Sequence, residues 1–194
     1  MDEKLQTYEN IIKEANRCLN CKNPKCKEAC PLSNDIPSFI NELKNNNIEK
    51  AYEILRQTSI LPKICGSICT KYCEKACILG IKSEAINIRN IESYIATNVN
   101  DKKKKEYIKI DKQKSYKVAI IGTGPASISC AYYLSKKGYN VDMYEKEEVA
   151  GGILKNEIPN YRLDKKYVDD LVNDLNNMGV NINYGYELGG NLNL

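Results

Sequence analysis

Eight of the nine cysteines of this chain are concentrated in two short segments. The first segment holds Cys18, Cys21, Cys26 and Cys30, and a proline follows its last cysteine directly. The second segment repeats a cysteine every four residues, at Cys65, Cys69, Cys73 and Cys77. Groups of four cysteine thiolates bind zinc or 4Fe-4S clusters, and a series of closely spaced cysteines that ends in Cys-Pro is typical of ferredoxins. The spacing therefore predicts metal–sulfur chemistry.

A glycine-rich turn further along the chain predicts a dinucleotide site. A short apolar run, 117–121, has the pattern of a buried parallel strand. It leads into the turn Gly122, Thr123, Gly124, Pro125, Ala126 and Ser127. The first glycine permits the tight turn, the second lets backbone approach a pyrophosphate at a helix N-terminus, and the small serine allows close packing. A chain that holds both a dinucleotide site and groups of thiolates is most simply an electron-transfer protein, which passes electrons between a two-electron cofactor and one-electron carriers.

The second predicted strand, about 141–144, is followed by Glu145, where a carboxylate would accept the ribose hydroxyls. An acid at that place disfavours a 2′-phosphate and leaves FAD or NAD. The pair Gly151 and Gly152 comes a few residues later and suits backbone that passes close to a flavin.

The composition favours a soluble cytoplasmic protein. Charged residues make up 28% of the chain, no apolar run approaches the length of a membrane span, and the N-terminus has no signal-peptide pattern. In a reducing compartment, cysteine groups are metal sites more often than disulfides. A lysine-rich run at 101–116 resembles a solvated connector, and no aromatic or arginine pattern beside it indicates nucleic-acid binding.

The elements predicted around these sites divide the chain into two domains. Residues 1–100 show four apolar helical faces, which begin near residues 5, 36, 48 and 88. Residues 117–194 show strand, helix (about 125–137), strand, helix (about 164–178) and strand (about 181–184). We therefore expect an α+β chain: an all-α, ferredoxin-like helical iron–sulfur domain, a linker at 101–116, and the start of an α/β Rossmann-like domain.

The second cysteine segment cannot form one four-thiolate site if it is a continuous helix. Cys65 and Cys77 would then lie about 18 Å apart at 1.5 Å per residue. Neighbours at i and i+4 share a helix face, so adjacent cysteines can serve one cluster while the last reaches another. The spacing thus favours two clusters with interleaved ligands. A zinc site with four cysteines and, less readily, disulfides remain as alternatives.

The motifs together resemble one known family, which comprises the small flavoprotein subunit of glutamate synthase and the N-terminal part of dihydropyrimidine dehydrogenase. The resemblance covers almost the whole chain. It is carried by both cysteine segments, by the glycine turn with Cys130 and Ala131 after it, and by the segments 85–88, 145–152 and 157–163. Asp164 departs from the pattern, because the family usually has proline there.

The resemblance implies a set of ligands for two 4Fe-4S clusters and FAD. One cluster would use Cys18, Cys21, Cys26 and Cys77. The other would use Cys30, Cys69, Cys73 and the oxygen donor Glu92, while Cys65 would coordinate nothing. FAD would be held by Gly122, Thr123, Gly124, Pro125, Ala126, Glu145, Gly151, Gly152, Ile153, Arg162 and Leu188.

The resemblance also implies the activity of a longer protein. There, an NAD(P)H-dependent oxidoreductase would reduce FAD, and the two clusters would pass electrons to a larger catalytic subunit. The nicotinamide domain and the closing half of the FAD domain would follow Leu194. We therefore expect these 194 residues alone to bind FAD weakly and not to oxidise NAD(P)H. The competing hypothesis is a zinc-stabilised nucleotide-binding or assembly module without redox activity.

Overall fold

The computed structural model describes residues 7–100, 111–112 and 114–193. The chain divides into two compact units, Met1–Tyr107 and Ile108–Leu194. Most of the lysine-rich run, residues 101–110 and 113, lies outside the described residues. Within the described ranges, no helix has both the length and the apolar character needed to cross a membrane.

The first unit consists of short helices joined by loops. The helices are α1 (Tyr8–Asn16), α2 (Lys25–Ala29), α3 (Ile36–Lys44), α4 (Ile48–Thr58), α5 (Pro62–Ile68), α6 (Tyr72–Lys75), a 3₁₀ helix (Ile78–Ile81) and α7 (Ile88–Asn98). The starts of α1, α4 and α7 are capped by the side chains of Thr7, Asn47 and Asn87, which accept a hydrogen bond from the backbone N–H three residues later. Such a bond satisfies an N–H that has no partner inside the helix.

One apolar core holds these helices together, and the predicted helical faces supply it. The described members of those faces that lie fully inside include Ile11, Ala15, Ile36, Phe39, Ile40, Leu43, Ala51, Leu55, Ile88, Ile91, Ile95 and Val99. Five cysteines pack against this core from the loops and from the short helices α2 and α6: Cys18, Cys26, Cys30, Cys73 and Cys77. A polar contact also joins distant segments, since the Glu14 carboxylate accepts a hydrogen bond of 2.8 Å from the backbone N–H of Asn87. The core therefore fixes the loops that carry the thiols.

The second unit is a three-stranded parallel sheet with helices packed on it. Its elements are β1 (Lys117–Ile121), α8 (Pro125–Lys136), β2 (Asn140–Glu145), α9 (Ile153–Asn156), α10 (Lys166–Asn177) and β3 (Asn181–Tyr184). The strand order is β1-β2-β3, and Val118 pairs with Val141 while Met143 pairs with Ile182. Alternate residues of β2 are buried, as expected where one face of a sheet packs on helices. The predicted strand–helix–strand order is present, with ends that differ by one or two residues.

The last residues of the expected linker are attached to this second unit. The backbone N–H of Asp111 donates to the Lys136 carbonyl and that of Lys114 to the Gly138 carbonyl, both at 2.8 Å. Gly138 has φ of +83°, and a side chain there would meet the Lys112 carbonyl oxygen at 2.4 Å. Only glycine fits both the left-handed turn and this close approach. The described end of the run is therefore a packed segment and not a free connector.

Candidate functional site

The first candidate site is a pocket with four thiols in its wall. The four are Cys18, Cys21, Cys26 and Cys77, and the wall is otherwise mostly apolar, with Ile36, Ile40, Ile86 and Ile88 among its residues. We call these four cysteines the first thiolate site. Cys77 lies at least 51 positions along the chain from the other three, and it reaches the site because the 3₁₀ helix that follows it packs beside the first cysteine loop.

Burial raises the pKa of the Cys26 thiol to about 11, and the neighbouring Cys18 and Cys77 add to the shift. A buried thiol favours its neutral form because a thiolate loses solvation there, and nearby thiolates repel it. A bound cation would reverse both effects, since metal ligation requires the thiolate. The arrangement is therefore unfavourable for free thiolates and suited to a positively charged iron or zinc centre.

The second cysteine segment is not one helix, so the premise of the 18 Å estimate is wrong. Helix α5 ends at Ile68, and Cys69 has an extended conformation with φ −57° and ψ 143°. Lys71 then adopts the left-handed conformation at φ 62° before α6 begins. These breaks turn the chain between successive cysteines, so their directions do not follow the regular i, i+4 rule.

The second candidate site gathers Cys30, Cys69, Cys73 and Glu92, which we call the second thiolate site. Burial raises the pKa of Cys73 to about 12, and the charges of Glu74, Cys30 and Cys69 contribute further. Glu92 comes from α7, is only 7% exposed, and has its pKa raised by burial to about 8. Its Oε1 atom is buried and has no hydrogen-bond partner. A buried acceptor without a partner is costly, and a bound cation would remove that cost, so this oxygen is a candidate metal ligand.

Cys65 lies beside the second thiolate site. Burial is the main cause that raises the pKa of its thiol to about 12, and the charges of Glu92, Cys69 and Cys30 raise it further. Unlike the Glu92 oxygen, its sulfur has a partner, since Sγ lies 3.9 Å from the Ser59 hydroxyl oxygen at hydrogen-bonding geometry. The structure therefore brings five candidate donors together where the family resemblance implies four.

Close packing of α5 on α7 creates this neighbourhood. A side chain at Gly66 would meet the Cα atom of Ser93 at 2.7 Å, which is too close for a real contact. The absent side chain lets the two helix backbones approach each other. Gly66 lies between Cys65 and Cys69 in sequence, and Ser93 follows Glu92. This glycine was not among the predicted site residues, although an isolated glycine within a helix is a signal of close packing.

The described part of the first unit contains no group of three or more Cys, Asp or Glu side chains arranged around a single metal ion.

The glycine turn of the second unit has the geometry of a phosphate-binding loop. Gly122 follows β1 with φ of +82°, and Gly124 precedes α8, whose first residue, Pro125, has no N–H to leave unpaired. No atom lies within 4 Å of where a side chain at Gly124 would be, so the space there is open. The Ser127 hydroxyl donates to the carbonyl of Ile121 at 3.3 Å, which links the helix start to the strand end.

Glu145 is turned towards this loop. Its Oε2 atom accepts hydrogen bonds from the Thr123 N–H at 2.8 Å and from the Thr123 hydroxyl, and its Oε1 accepts one from the Glu147 N–H at 3.1 Å. Burial acts to raise the pKa of this carboxyl, but the hydrogen bonds from Thr123, Lys146 and Glu147 outweigh it and the pKa is lowered. The two oxygens of a carboxylate offer about four acceptor sites, and these four donors use them to hold the carboxyl against the glycine turn.

The second glycine pair packs directly against the first turn. The Gly151 N–H donates to the Thr123 hydroxyl oxygen at 3.1 Å, and a side chain at Gly152 would meet the Gly124 Cα atom at 3.1 Å. Ile153 begins α9 and is half exposed beside them. The structure therefore brings Thr123, Glu145 and the two glycine segments together around one loop.

Two further predicted flavin contacts lie on exposed surface. Arg162 is exposed in the loop before α10, and Leu188 is 43% exposed beyond β3. The backbone N–H of Tyr186 donates to the Glu145 carbonyl at 2.9 Å, which brings the segment leading to Leu188 alongside the end of β2. Pro125 and Ala126 form the first residues of α8.

Comparisons with known proteins found matches to both units. Residues 120–167 match a family described as an NAD(P)-binding Rossmann-like domain. A putative oxidoreductase, AegA of Escherichia coli, is 35% identical over 94% of this chain. The dihydropyrimidine dehydrogenase subunit PreT of Salmonella typhimurium is 34% identical over 94%, and the small chain of glutamate synthase of E. coli is 33% identical over 93%. The chain spans only 28%, 45% and 39% of the lengths of these three relatives.

The first unit is matched almost completely. Residues 2–104, which are more than half of the chain, match the family described as dihydropyrimidine dehydrogenase domain II, 4Fe-4S cluster. The match includes every cysteine of the two thiolate sites. This chain therefore belongs to the family of 4Fe-4S cluster domains typified by domain II of dihydropyrimidine dehydrogenase.

Proposed function

We propose that this chain is the cluster-bearing and flavin-binding part of an NAD(P)H-dependent oxidoreductase. In it, two 4Fe-4S clusters would carry electrons from FAD to a larger catalytic subunit, of the glutamate synthase or dihydropyrimidine dehydrogenase type. The observation that carries the proposal is that Cys18, Cys21, Cys26 and Cys77 line one pocket, while Cys30, Cys65, Cys69, Cys73 and Glu92 lie together at a second place. Membership of a 4Fe-4S family and relatives named as oxidoreductases support it.

The donors fit the proposed groups. In the first thiolate site, Cys18, Cys21, Cys26 and Cys77 would hold one cluster, and the apolar pocket wall would exclude water from it. In the second, Cys30, Cys69, Cys73 and Glu92 would hold the other. The unpartnered oxygen of Glu92 supports its role as the fourth ligand, because binding iron would remove the cost of burying it alone. Cys65, already bonded to Ser59, would remain free.

The residues of the second unit fit a bound dinucleotide. The open space at Gly124 and the start of α8 would accept a pyrophosphate, whose charge the helix N-terminus favours. Glu145, at the end of β2, stands where a carboxylate accepts the ribose hydroxyls in dinucleotide-binding folds, and it would accept one in exchange for one of its present donors. Gly151, Gly152 and Ile153, with Arg162, would lie near the isoalloxazine ring, and Leu188 near the adenine.

Each group would supply a different part of the chemistry. FAD accepts two electrons as hydride from NAD(P)H, and each 4Fe-4S cluster carries one electron at a time. The chain's own residues would determine the order of transfer by fixing where each cluster is held. The interleaved ligands contribute to this, because Cys73 and Cys77 are only four residues apart and serve different sites.

Metal content tests the proposal directly. Anaerobically purified protein should be brown and contain about eight iron atoms and eight acid-labile sulfides per chain, as two 4Fe-4S clusters require. Its EPR spectrum after reduction should show two signals that interact. Colourless protein with zinc in place of iron would instead favour a zinc-stabilised nucleotide-binding module and would overturn the proposed function.

A further inference from the structure

Two buried side-chain atoms among the described residues have no hydrogen-bond partner, and both lie on α7. They are Oε1 of Glu92 and Nε of Arg89. Residues three apart lie on the same side of a helix, so the two side chains leave α7 in similar directions. The two atoms do not bond to one another, although an acid and a guanidinium at this spacing could do so. Each of the two atoms would gain a partner if a group outside the protein chain were bound beside it.

Arg89 is anchored to the second thiolate site at two points. Its Nη1 atom donates to the Cys69 carbonyl oxygen at 3.3 Å. Its backbone N–H donates to the Glu74 carboxylate at 2.9 Å, and Glu74 directly follows Cys73 in sequence. The guanidinium group is therefore held beside the backbone of the proposed ligand Cys69. Arg89 itself lies one helical turn before the proposed ligand Glu92 on α7.

The charge of Arg89 is not neutralised by the acids around it. Glu74 already has a cationic partner, because Lys71 Nζ lies 3.5 Å from its Oε2 atom. Glu92 has no bond to Arg89. A guanidinium remains charged at any ordinary pH and offers five N–H donors, of which the buried Nε–H is unused. Arg89 is partly buried and its Nε atom is fully buried, so water screens this charge less than it would on an open surface, and the charge acts on a redox centre nearby.

We propose that Arg89 is the charge partner of the second cluster and raises its reduction potential above that of the same cluster without it. This inference rests on the proposed function, because it requires a cluster at the second thiolate site. The Nε–H would donate a hydrogen bond to an inorganic sulfide or thiolate sulfur. Addition of one electron makes the cluster more negative, so the positive charge favours the reduced form. Hydrogen bonds to sulfur and net charge are known determinants of cluster potential.

EPR-monitored redox titration of the full chain tests this inference. At a fixed solution potential, Arg89→Gln should lower the ratio of reduced to oxidised second cluster about tenfold, or about 59 mV for a one-electron couple. Arg89→Lys keeps the charge and should retain most of the wild-type potential. Arg56→Gln is the matched control, because Arg56 also donates to a backbone carbonyl in this unit and should change neither cluster. The first cluster should titrate as in the wild type in all three variants.

A second measurement needs no substitution, in case Arg89→Gln fails to assemble. Pulsed EPR of the wild-type chain labelled with ¹⁵N-arginine should show a weak nitrogen coupling in the signal of the second cluster. An unchanged potential in Arg89→Gln at full iron content, or no arginine coupling in the wild type, would overturn the role of Arg89. A wild-type chain without a second cluster would instead overturn the proposed function, so the two failures are distinguishable.

Discussion

Two glutamates are buried to nearly the same extent in this chain, and their pKa values are shifted in opposite directions. Glu92 in the helical unit is 7% exposed, and Glu145 in the sheet unit is 6% exposed. Burial raises the pKa of Glu92 to about 8, and one of its oxygens has no partner. Burial also opposes the charge of Glu145, yet hydrogen bonds from Thr123, Glu147 and Lys146 lower its pKa.

The difference shows that the burial of a carboxyl group does not by itself determine the direction in which its pKa is shifted. A buried carboxylate that accepts several backbone hydrogen bonds is a structural element, and Glu145 holds the glycine turn in shape. A buried carboxylate without partners is unfavourable in the isolated protein and becomes favourable only with a bound cation. The helical unit therefore contains a carboxylate that a bound cation would stabilise, whereas the loop of the sheet unit is held by its own residues.

Removal of a thiolate should have the largest effect, and it should affect the helical unit alone. Cys77→Ser and Cys73→Ser change cysteines four residues apart that we assign to different sites. Each variant should lower the iron content from about eight to about four per chain and abolish a different EPR signal. Iron and sulfide analysis with EPR measures both. Loss of the same signal in both variants would contradict the assignment, and the exposed Cys130→Ser is the control.

Gly66→Ala should have the next largest effect. The added methyl group would meet the Ser93 backbone at 2.7 Å and force α5 and α7 apart, at a cost of about 1–3 kcal/mol. Because α5 carries Cys65 and ends directly before Cys69, and α7 carries Glu92, the second cluster should be lost more readily than the first. Chemical unfolding and iron content measure the two effects. Gly80→Ala is the control, since its nearest contact would be 3.4 Å from the Ala85 side chain. Equal loss in both variants would refute the packing argument.

Glu145→Gln should destabilise the sheet unit by about 1–3 kcal/mol at neutral pH, because hydrogen bonds to a charged acceptor are lost. The folded pKa of Glu145 is lowered, so its contribution is present above the ordinary pKa of about 4.5 and is lost as pH falls through the folded value. The difference in unfolding free energy between wild type and variant should therefore shrink in acid. Urea unfolding at several pH values measures it, with exposed Glu157→Gln as control. A difference that grows in acid would contradict the sign.

Glu92→Ala should have the smallest effect on stability and a clear effect on spectra. The substitution removes a buried, unpartnered carboxylate, so the metal-free unit should not lose stability through a broken hydrogen bond. The second cluster should change its EPR signal, because a carboxylate is a harder donor than a thiolate. Cys65→Ser is the matched comparison, and its spectrum and iron content should be nearly unchanged. The opposite result, a changed spectrum in Cys65→Ser and none in Glu92→Ala, would make Cys65 the fourth ligand.

Local patterns in the sequence predicted much of the fold. Most members of the four apolar faces of the first unit are buried where the 3.6-residue period indicated. Tyr8 is exposed, Ile12 and Ile48 are partly buried, and Leu5 lies outside the described residues. The strand, glycine turn, helix and second strand occur in the predicted order. These elements depend on neighbours within a few residues, so their signals are present in short stretches of sequence. The two breaks between Cys65 and Cys77 were missed, since nothing in the spacing indicates the left-handed Lys71.

The amino-acid sequence by itself determined the number and types of possible ligands and, through its motifs, the family to which the chain belongs. Only the tertiary structure decided which of those ligands share a pocket and which carboxylate is left without a partner. Cys18 and Cys77 line one cavity although 59 positions separate them in the sequence. The buried, unpartnered atoms of Glu92 and Arg89 result from the packing of α7 beside α5 and the cysteine loops. The physical reason is that burial and the absence of a partner depend on every segment that packs around an atom.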